Sequence, residues 1–250
     1  PYCINLHDGN TRSKMSKEQM TAESWIRAAN RLELRDDLPL TLQGGEPTLS
    51  SSFFRIVNEV KREVKCDLMT NLTFDVDEFI DNVPVWRFLR EAPYAPIRVS
   101  YHPGQNSIDV LIEKYFKLVA AGFRVGIYGI LHPAPDKRRH ILEVQEQCLN
   151  IGVDFRTKEF LGEWDGALYG DFKYPGAVMG KPFHSCRCRT SELLVDPAGL
   201  VYKCHADLLR GRAPYAHILD PEFDESWIDT LRDCSFYGDC NPCDIKIKTN

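Results

Sequence analysis

Six cysteines crowd the last quarter of the chain, Cys186, Cys188, Cys204, Cys234, Cys240 and Cys243, while Cys3, Cys66 and Cys148 are scattered through the rest. Cys186-x17-Cys204 is followed by Cys234-x5-Cys240-x2-Cys243. Thiol pairs at short spacing, separated by longer loops, let a short stretch of chain gather four thiolates round a soft metal, so zinc or iron–sulfur ligation is expected here. Spacing alone does not separate the two metals. Disulfides are the poorer expectation in a long α/β chain in which no secretory leader is read, and the total of nine cysteines is odd.

A second group with chemical content is Gln43-Gly44-Gly45-Glu46-Pro47, placed where a short strand should end and its loop begin. Two glycines let a backbone run close to a ligand, Glu46 can meet an ammonium, and Pro47 stiffens the exit. Ligands of parallel sheets gather at the carboxyl ends of the strands. Taken alone, the segment reads equally as a tight turn that happens to hold an acid. A third group, Pro1-Tyr2-Cys3-Ile4-Asn5, is one cysteine behind an aromatic, for which a buried structural thiol is the default.

Together the last two groups resemble the radical S-adenosylmethionine (SAM) superfamily, whose cluster loop reads C-x3-C-x-aromatic-C and whose later G-G-E-P segment contacts the methionyl amine of SAM. Tyr2 matches the aromatic and Cys3 the last cysteine, with 40 residues between Cys3 and Gly44. The resemblance implies that two further cysteines precede this chain, since three thiolates hold a [4Fe-4S] cluster with one open iron. It also implies a partial (β/α)6 TIM-like barrel over residues 1–160, with Tyr2, Gly44, Gly45, Glu46, Pro47, Asn71 of Thr70-Asn71-Leu72 and Ser100 on the SAM side. Ile127 or Tyr128 would line the adenine pocket.

The late thiols resemble the SPASM and twitch domains of the same superfamily, which open with C-x9-15-G-x4-C. Cys188-x10-Gly199-x4-Cys204 fits, as does Cys186 with twelve. Six cysteines are too few for two all-cysteine clusters, so the resemblance implies one auxiliary [4Fe-4S] cluster on Cys186, Cys204, Cys240 and Cys243, with Cys188 and Cys234 as substitutes. The implied activity is reductive cleavage of SAM to a 5′-deoxyadenosyl radical and oxidative modification of a peptide or small polar substrate. A thiol returning a hydrogen atom, from Cys66, Cys148, Cys188 or Cys234, would instead give epimerisation. The partners are that substrate and an external one-electron reductant such as flavodoxin or ferredoxin. The contrary expectation is a non-catalytic scaffold with structural zinc in its C-terminal domain.

The elements that must place these groups alternate up to about residue 160. Helical spacing over 17–33, 50–64, 76–89, 108–121 and 137–150 is interleaved with strand-like runs at 38–42, 66–70, 97–101, 123–131 and 153–160, which predicts a parallel sheet with helices outside it. Residues 161–183 read as a hairpin or linker, and 184–250 as a small cysteine-rich domain with a hairpin at 193–202 and a short helix at 225–232. That domain has too little apolar sequence for its own core, which a metal would offset.

Length and composition fit one large α/β domain with an appendage: 250 residues, 43% hydrophobic, 27% charged. The net charge of -5 and the shortness of the basic runs argue against a nucleic-acid backbone as partner, and no apolar run reaches the ~20 residues of a membrane span. A cytoplasmic protein is expected. His102 and His132, at strand ends, could face substrate, though a hydrogen-bonded core or rim role is commoner, and His205 beside Cys204 would support the cluster loop.

Overall fold

The computed structural model describes residues 19–34, 39–160, 162–169, 186–189, 192–212, 214–234 and 247–249. The chain divides into two compact units, Trp25–Phe160 and a second made of 1–24 with 161–250. The first unit is α/β. Its elements are α1 (Ala22–Arg31, which begins in the other unit), β1 (Leu40–Leu42), α2 (Phe53–Glu59), β2 (Cys66–Thr70), α3 (Val76–Asn82), β3 (Ile97–Ser100), α4 (Ile108–Ala120), β4 (Val125–Leu131), α5 (Pro135–Asn150) and β5 (Phe155–Glu159).

All five strands pair in parallel and in chain order, β1-β2-β3-β4-β5. Helices α2 to α5 are the crossovers. In a sheet wound in one direction by crossovers of one hand, the helices all fall on one face. The core agrees: one apolar cluster joins Phe53 and Val57 of α2, Phe79 of α3, Leu111 and Leu118 of α4 and Ile141 and Val144 of α5 to the strands. The strands meet it with register-matched rungs, Leu42, Leu68, Ile97 and Val125, then Val99, Ile127 and Phe155. Fully burying such side chains stabilises the fold by ~1.5–3 kcal/mol each.

The alternate residues, on the opposite face, are polar in large part. Met69, Arg98 and Gly126 form one rung, and Ser100, Tyr128 and Arg156 the next. Toward its amino end this face carries Asp67, fully buried, whose carboxylate accepts from Arg90 at 2.8 and 2.7 Å and from Arg98 at 3.1 Å. A carboxylate without water needs such partners. They in turn hold the Arg90 guanidinium above its ordinary range.

The helix expected over 76–89 is two pieces. Helix α3 stops at Asn82, before Pro84, and a single 3-10 turn covers Val85–Phe88. A proline disfavours helical backbone in the residue before it. Buried Arg87 in that turn donates to the carbonyls of Val60, Lys61 and Val64 just beyond α2, supplying donors that the backbone there lacks.

In the second unit, β6 (Gly162–Trp164) and β7 (Ala167–Tyr169) form the expected hairpin. Strand β8 (Cys186–Arg189) lies between β12 (Arg232–Cys234) and β13 (Ile247–Thr249), antiparallel to both. Strands β9 (Leu194–Val195), β10 (Leu200–Tyr202) and β11 (Ala216–His217) make a second small sheet, with α6 (His205–Arg210) between β10 and β11. The expected helix over 225–232 is absent. Those residues form turns that run into β12, with Asp229 at φ 62, a left-handed backbone that a helix cannot contain.

Candidate functional site

The loop after β1 is fastened by its own acid. The Glu46 carboxylate accepts from the Thr48 amide at 3.4 Å and hydroxyl at 2.7 Å, from the Thr70 hydroxyl at 2.9 and 2.8 Å, and from the Asn71 amide at 2.8 Å. Glu46 thereby caps the 3-10 turn Pro47–Leu49 and ties the carboxyl end of β1 to that of β2. With so many protein donors on its two oxygens, this carboxylate orients the loop, and the part of the loop open to a ligand is the exposed Gly44-Gly45 backbone. Gly44 stands at φ 146, and a Cβ on either glycine would meet no atom within 4 Å. The backbone angle of Gly44, with open space beside both, is what the motif supplies.

The same end of the sheet collects the other residues expected there. Thr70 Oγ1 accepts from the Leu72 amide at 2.8 Å, and Leu72 takes a φ of 59. Asn71 turns its side-chain oxygen to the Thr73 amide and hydroxyl, at 3.0 and 2.7 Å, so its amide head shapes the turn. Asn106 then ties β2 to β3, donating to the carbonyls of Asn71 at 3.5 Å and Ser100 at 3.3 Å while accepting from the His102 amide at 3.0 Å. Lys114 Nζ donates to the carbonyls of Leu72 and Phe74. Neither Asn106 nor Lys114 follows from the sequence, because an amide six residues beyond Ser100 or a lysine forty residues beyond Phe74 carries no spacing signal.

Of Ile127 and Tyr128, only the second faces the polar side. Ile127 is fully buried against the helices, whereas Tyr128 lies in register with Ser100 and Arg156, with Lys158 Nζ 5.0 Å from its ring centre. Burial pushes the Tyr128 hydroxyl up. His132 is buried, accepts from the Ala134 amide at its Nδ1 and packs edge-on to Phe160, the arrangement of a structural histidine. Burial lowers the pKa of both His132 and His102. Cys66 and Cys148 are inside the apolar core with no exposed surface, and burial drives the Cys66 thiol up to about 12. Such a thiol stays protonated and is a poor nucleophile or metal ligand, and the core places both thiols among apolar side chains.

In the second unit the thiols meet across a ladder. Cys186 is the register partner of Cys234, and Cys188 that of Arg232. Cys188, Arg232 and Cys234 thus share one face of the β8–β12 pair, by the two-residue period of a strand. Cys204 joins them through its neighbour, for Arg232 Nη2 donates to the Lys203 carbonyl at 3.3 Å. Burial lowers the Arg232 pKa, and Cys204, Cys188, Asp207 and Cys234 act on it in the opposite sense. Cys188, Cys204 and Cys234 form no disulfide. Among the described residues no three His, Cys, Asp or Glu side chains are already gathered as a metal site. Tyr2, Cys3, Cys240, Cys243 and the side chain of Cys186 lie outside the described residues.

Gly199 explains its own place in the late motif. It holds φ 87 in the β9–β10 turn, and a Cβ there would stand 2.6 Å from Met20 Sδ and 2.8 Å from His217 Nε2. Buried Asp196 closes the turn by accepting from the amides of Ala198 and Leu200 and from the Tyr202 hydroxyl. The turn delivers β10 to Cys204 at the start of α6.

No protein-family model, no curated protein and no solved structure matches this chain. Among the described residues no helix is long and apolar enough to cross a membrane.

Proposed function

We propose that the chain is the larger part of a radical SAM oxidoreductase that modifies a peptide or a small polar metabolite, with an auxiliary iron–sulfur centre in its C-terminal unit. The observation that carries the reading is the Glu46 clamp. It holds an exposed glycine pair at the carboxyl end of β1 and fastens it to Thr70 and Asn71 at the carboxyl end of β2, in a parallel sheet of sequential order. A further strand ahead of β1 would extend that sheet into a partial barrel, whose interior would be the face carrying Ser100 and Tyr128.

In this reading the Gly44-Gly45 backbone binds the methionyl amine, Glu46 and Pro47 keep that backbone in place, and Asn71, Asn106 and Ser100 fix the neighbouring loops. Tyr128 offers an aromatic flank for adenine, while the helix-side core keeps water from the back of the sheet. Cys3 with two upstream cysteines would hold the SAM-site [4Fe-4S] cluster. The chemistry supplied on binding is one-electron reductive cleavage of SAM and hydrogen-atom abstraction from the substrate.

The C-terminal donor set suits a soft metal. Cys188, Cys204 and Cys234 are free of disulfides and grouped round Arg232, with Cys186 in register beside them. Cys188 and Cys234 therefore join Cys186, Cys204, Cys240 and Cys243 as ligand candidates. An external reductant such as flavodoxin or ferredoxin would supply the electron for SAM cleavage, and the electron left on the substrate would pass to this centre.

The reading is tested by anaerobic reconstitution of the full-length protein, with iron, sulfide and zinc counted. About eight irons per chain would fit one cluster at each site and about four a single cluster. Zinc bound in place of iron would favour the scaffold with a structural metal.

A further inference from the structure

We infer that Arg98 and Tyr128 form a carboxylate subsite on the polar face of the parallel sheet, which makes the substrate an acid held by its carboxylate. That the acid is the substrate rests on the proposed radical SAM reading; the subsite itself rests on the geometry of β3, β4 and β5.

Both side chains have donors without acceptors. Arg98 gives its Nη2 to Asp67 at 3.1 Å, but its Nε has no acceptor among the described residues, and 19% of the side chain stays open. The Tyr94 ring centre, 4.9 Å from Arg98 Cζ, backs the guanidinium, so Asp67 and Tyr94 hold its plane before any ligand arrives. The half-buried Tyr128 hydroxyl has no hydrogen-bond partner among the described residues. Gly126 brings the two side chains together. It is the register partner of Arg98, and a Cβ there would stand 3.3 Å from Tyr128 Cε2 and 3.3 Å from Asp154 Oδ2. The bare glycine lets the tyrosine ring lie back toward the Arg98 row. Arg156 and Arg98 draw the phenol toward ionisation, yet burial outweighs them and keeps it a donor.

The charges on this face leave room for an anion. Asp67 pairs with both Arg90 and Arg98, and Asp154 pairs with Arg156, so three guanidinium groups face two carboxylates. One ligand carboxylate would balance that excess, and its two oxygens match a guanidinium N–H and a phenol O–H. Arg98 is two residues before Ser100, about 7 Å toward the amino end of the strand. An acid anchored there would extend toward the strand ends, where Gly44 and Gly45 are placed for SAM.

The test titrates the full-length protein with acetate, and with acetamide as the uncharged control, following the Arg98 Nε–H resonance by nuclear magnetic resonance. Acetate is expected to shift it saturably and acetamide to leave it in place. Tyr128→Phe removes a hydroxyl that bonds nothing in the fold, so it should unfold at the parent's temperature and bind acetate about tenfold more weakly. Arg98→Lys, which keeps a charge beside Asp67 but loses the fork, should weaken acetate binding as far, read by calorimetry; if it misfolds, Tyr128→Phe decides. No shift with acetate, an equal shift with acetamide, or unchanged affinity in Tyr128→Phe would overturn the inference. Displacement of acetate by SAM would also overturn it, since the subsite would then serve the cofactor's own carboxylate. Acetate binding as expected in a protein that never cleaves SAM would leave the subsite standing and defeat the radical SAM reading alone.

Discussion

At the scale of single residues, Glu46 does work that its charge alone does not describe. Its oxygens accept from Thr48, Thr70 and Asn71, so the acid positions the loop backbone that carries Gly44 and Gly45. Glu46→Gln keeps the size but turns an amide donor toward these donors. Hydrogen bonds to a charged acceptor are worth ~1.5–3 kcal/mol, and the variant is expected to lose stability of that order and to bind SAM at least tenfold more weakly, as read by thermal unfolding and equilibrium dialysis. Cys66 makes a different prediction. Its thiol is raised from an ordinary 9.0 to about 12 by burial, so in that window the unfolded chain has given up a proton that the fold retains. The stability this contributes is complete below about pH 9 and is lost as the pH rises toward 12. Thermal unfolding from pH 8 upward should therefore fall less steeply in Cys66→Ala than in the parent; equal slopes would contradict the assignment.

At the scale of elements, Gly199 shows a turn that serves a site from a distance. Any side chain at φ 87 is strained, and a Cβ has Met20 Sδ and the His217 ring in its way. Gly199→Ala is expected to cost at least ~1–3 kcal/mol and to loosen metal binding in the C-terminal unit, measured by chelator competition, while SAM binding stays as in the parent.

Elements also mark where the sequence was readable. The strand and helix alternation to residue 160 was legible because each crossover helix buries an apolar stripe and each strand puts Leu, Ile, Val or Phe on the helix side. The positions of Gly44 to Pro47, Thr70 and Asn71 at strand ends followed from that alternation. Their joining did not, because a bond from Glu46 to Thr70 depends on which strands are neighbours. The run 225–232 misled: Trp227, Ile228 and Leu231 have helical spacing, but Trp227 is packed on Tyr215 and the chain leaves through Asp229 into β12. With that strand hidden, the ladder pairing of Arg232 with Cys188 and of Cys234 with Cys186 was hidden as well. Cys66 and Cys148 were read only as thiols; the register that sends them into the core is a property of the sheet and of α5.

At the scale of the whole molecule, the two units differ in what supports them. The sheet unit has a continuous core fed by four crossover helices. The described part of the other unit offers few large buried apolar side chains, Leu194, Val201, Tyr202, Ile218 and Trp227, so its stability needs another source, and metal ligation by thiolates is an adequate one. In the proposed reading the sheet unit would hold a small ligand at its strand ends and the thiol-rich unit would handle electrons. In that same reading this chain cleaves SAM with an electron delivered through iron and sulfur. The most direct measurement is the 5′-deoxyadenosine and methionine released by the anaerobically reconstituted full-length protein, given SAM and a strong reductant, beside the Cys3→Ala variant. The parent should release both products and the variant neither; a parent that carries its iron and leaves SAM intact would rule out the proposed chemistry.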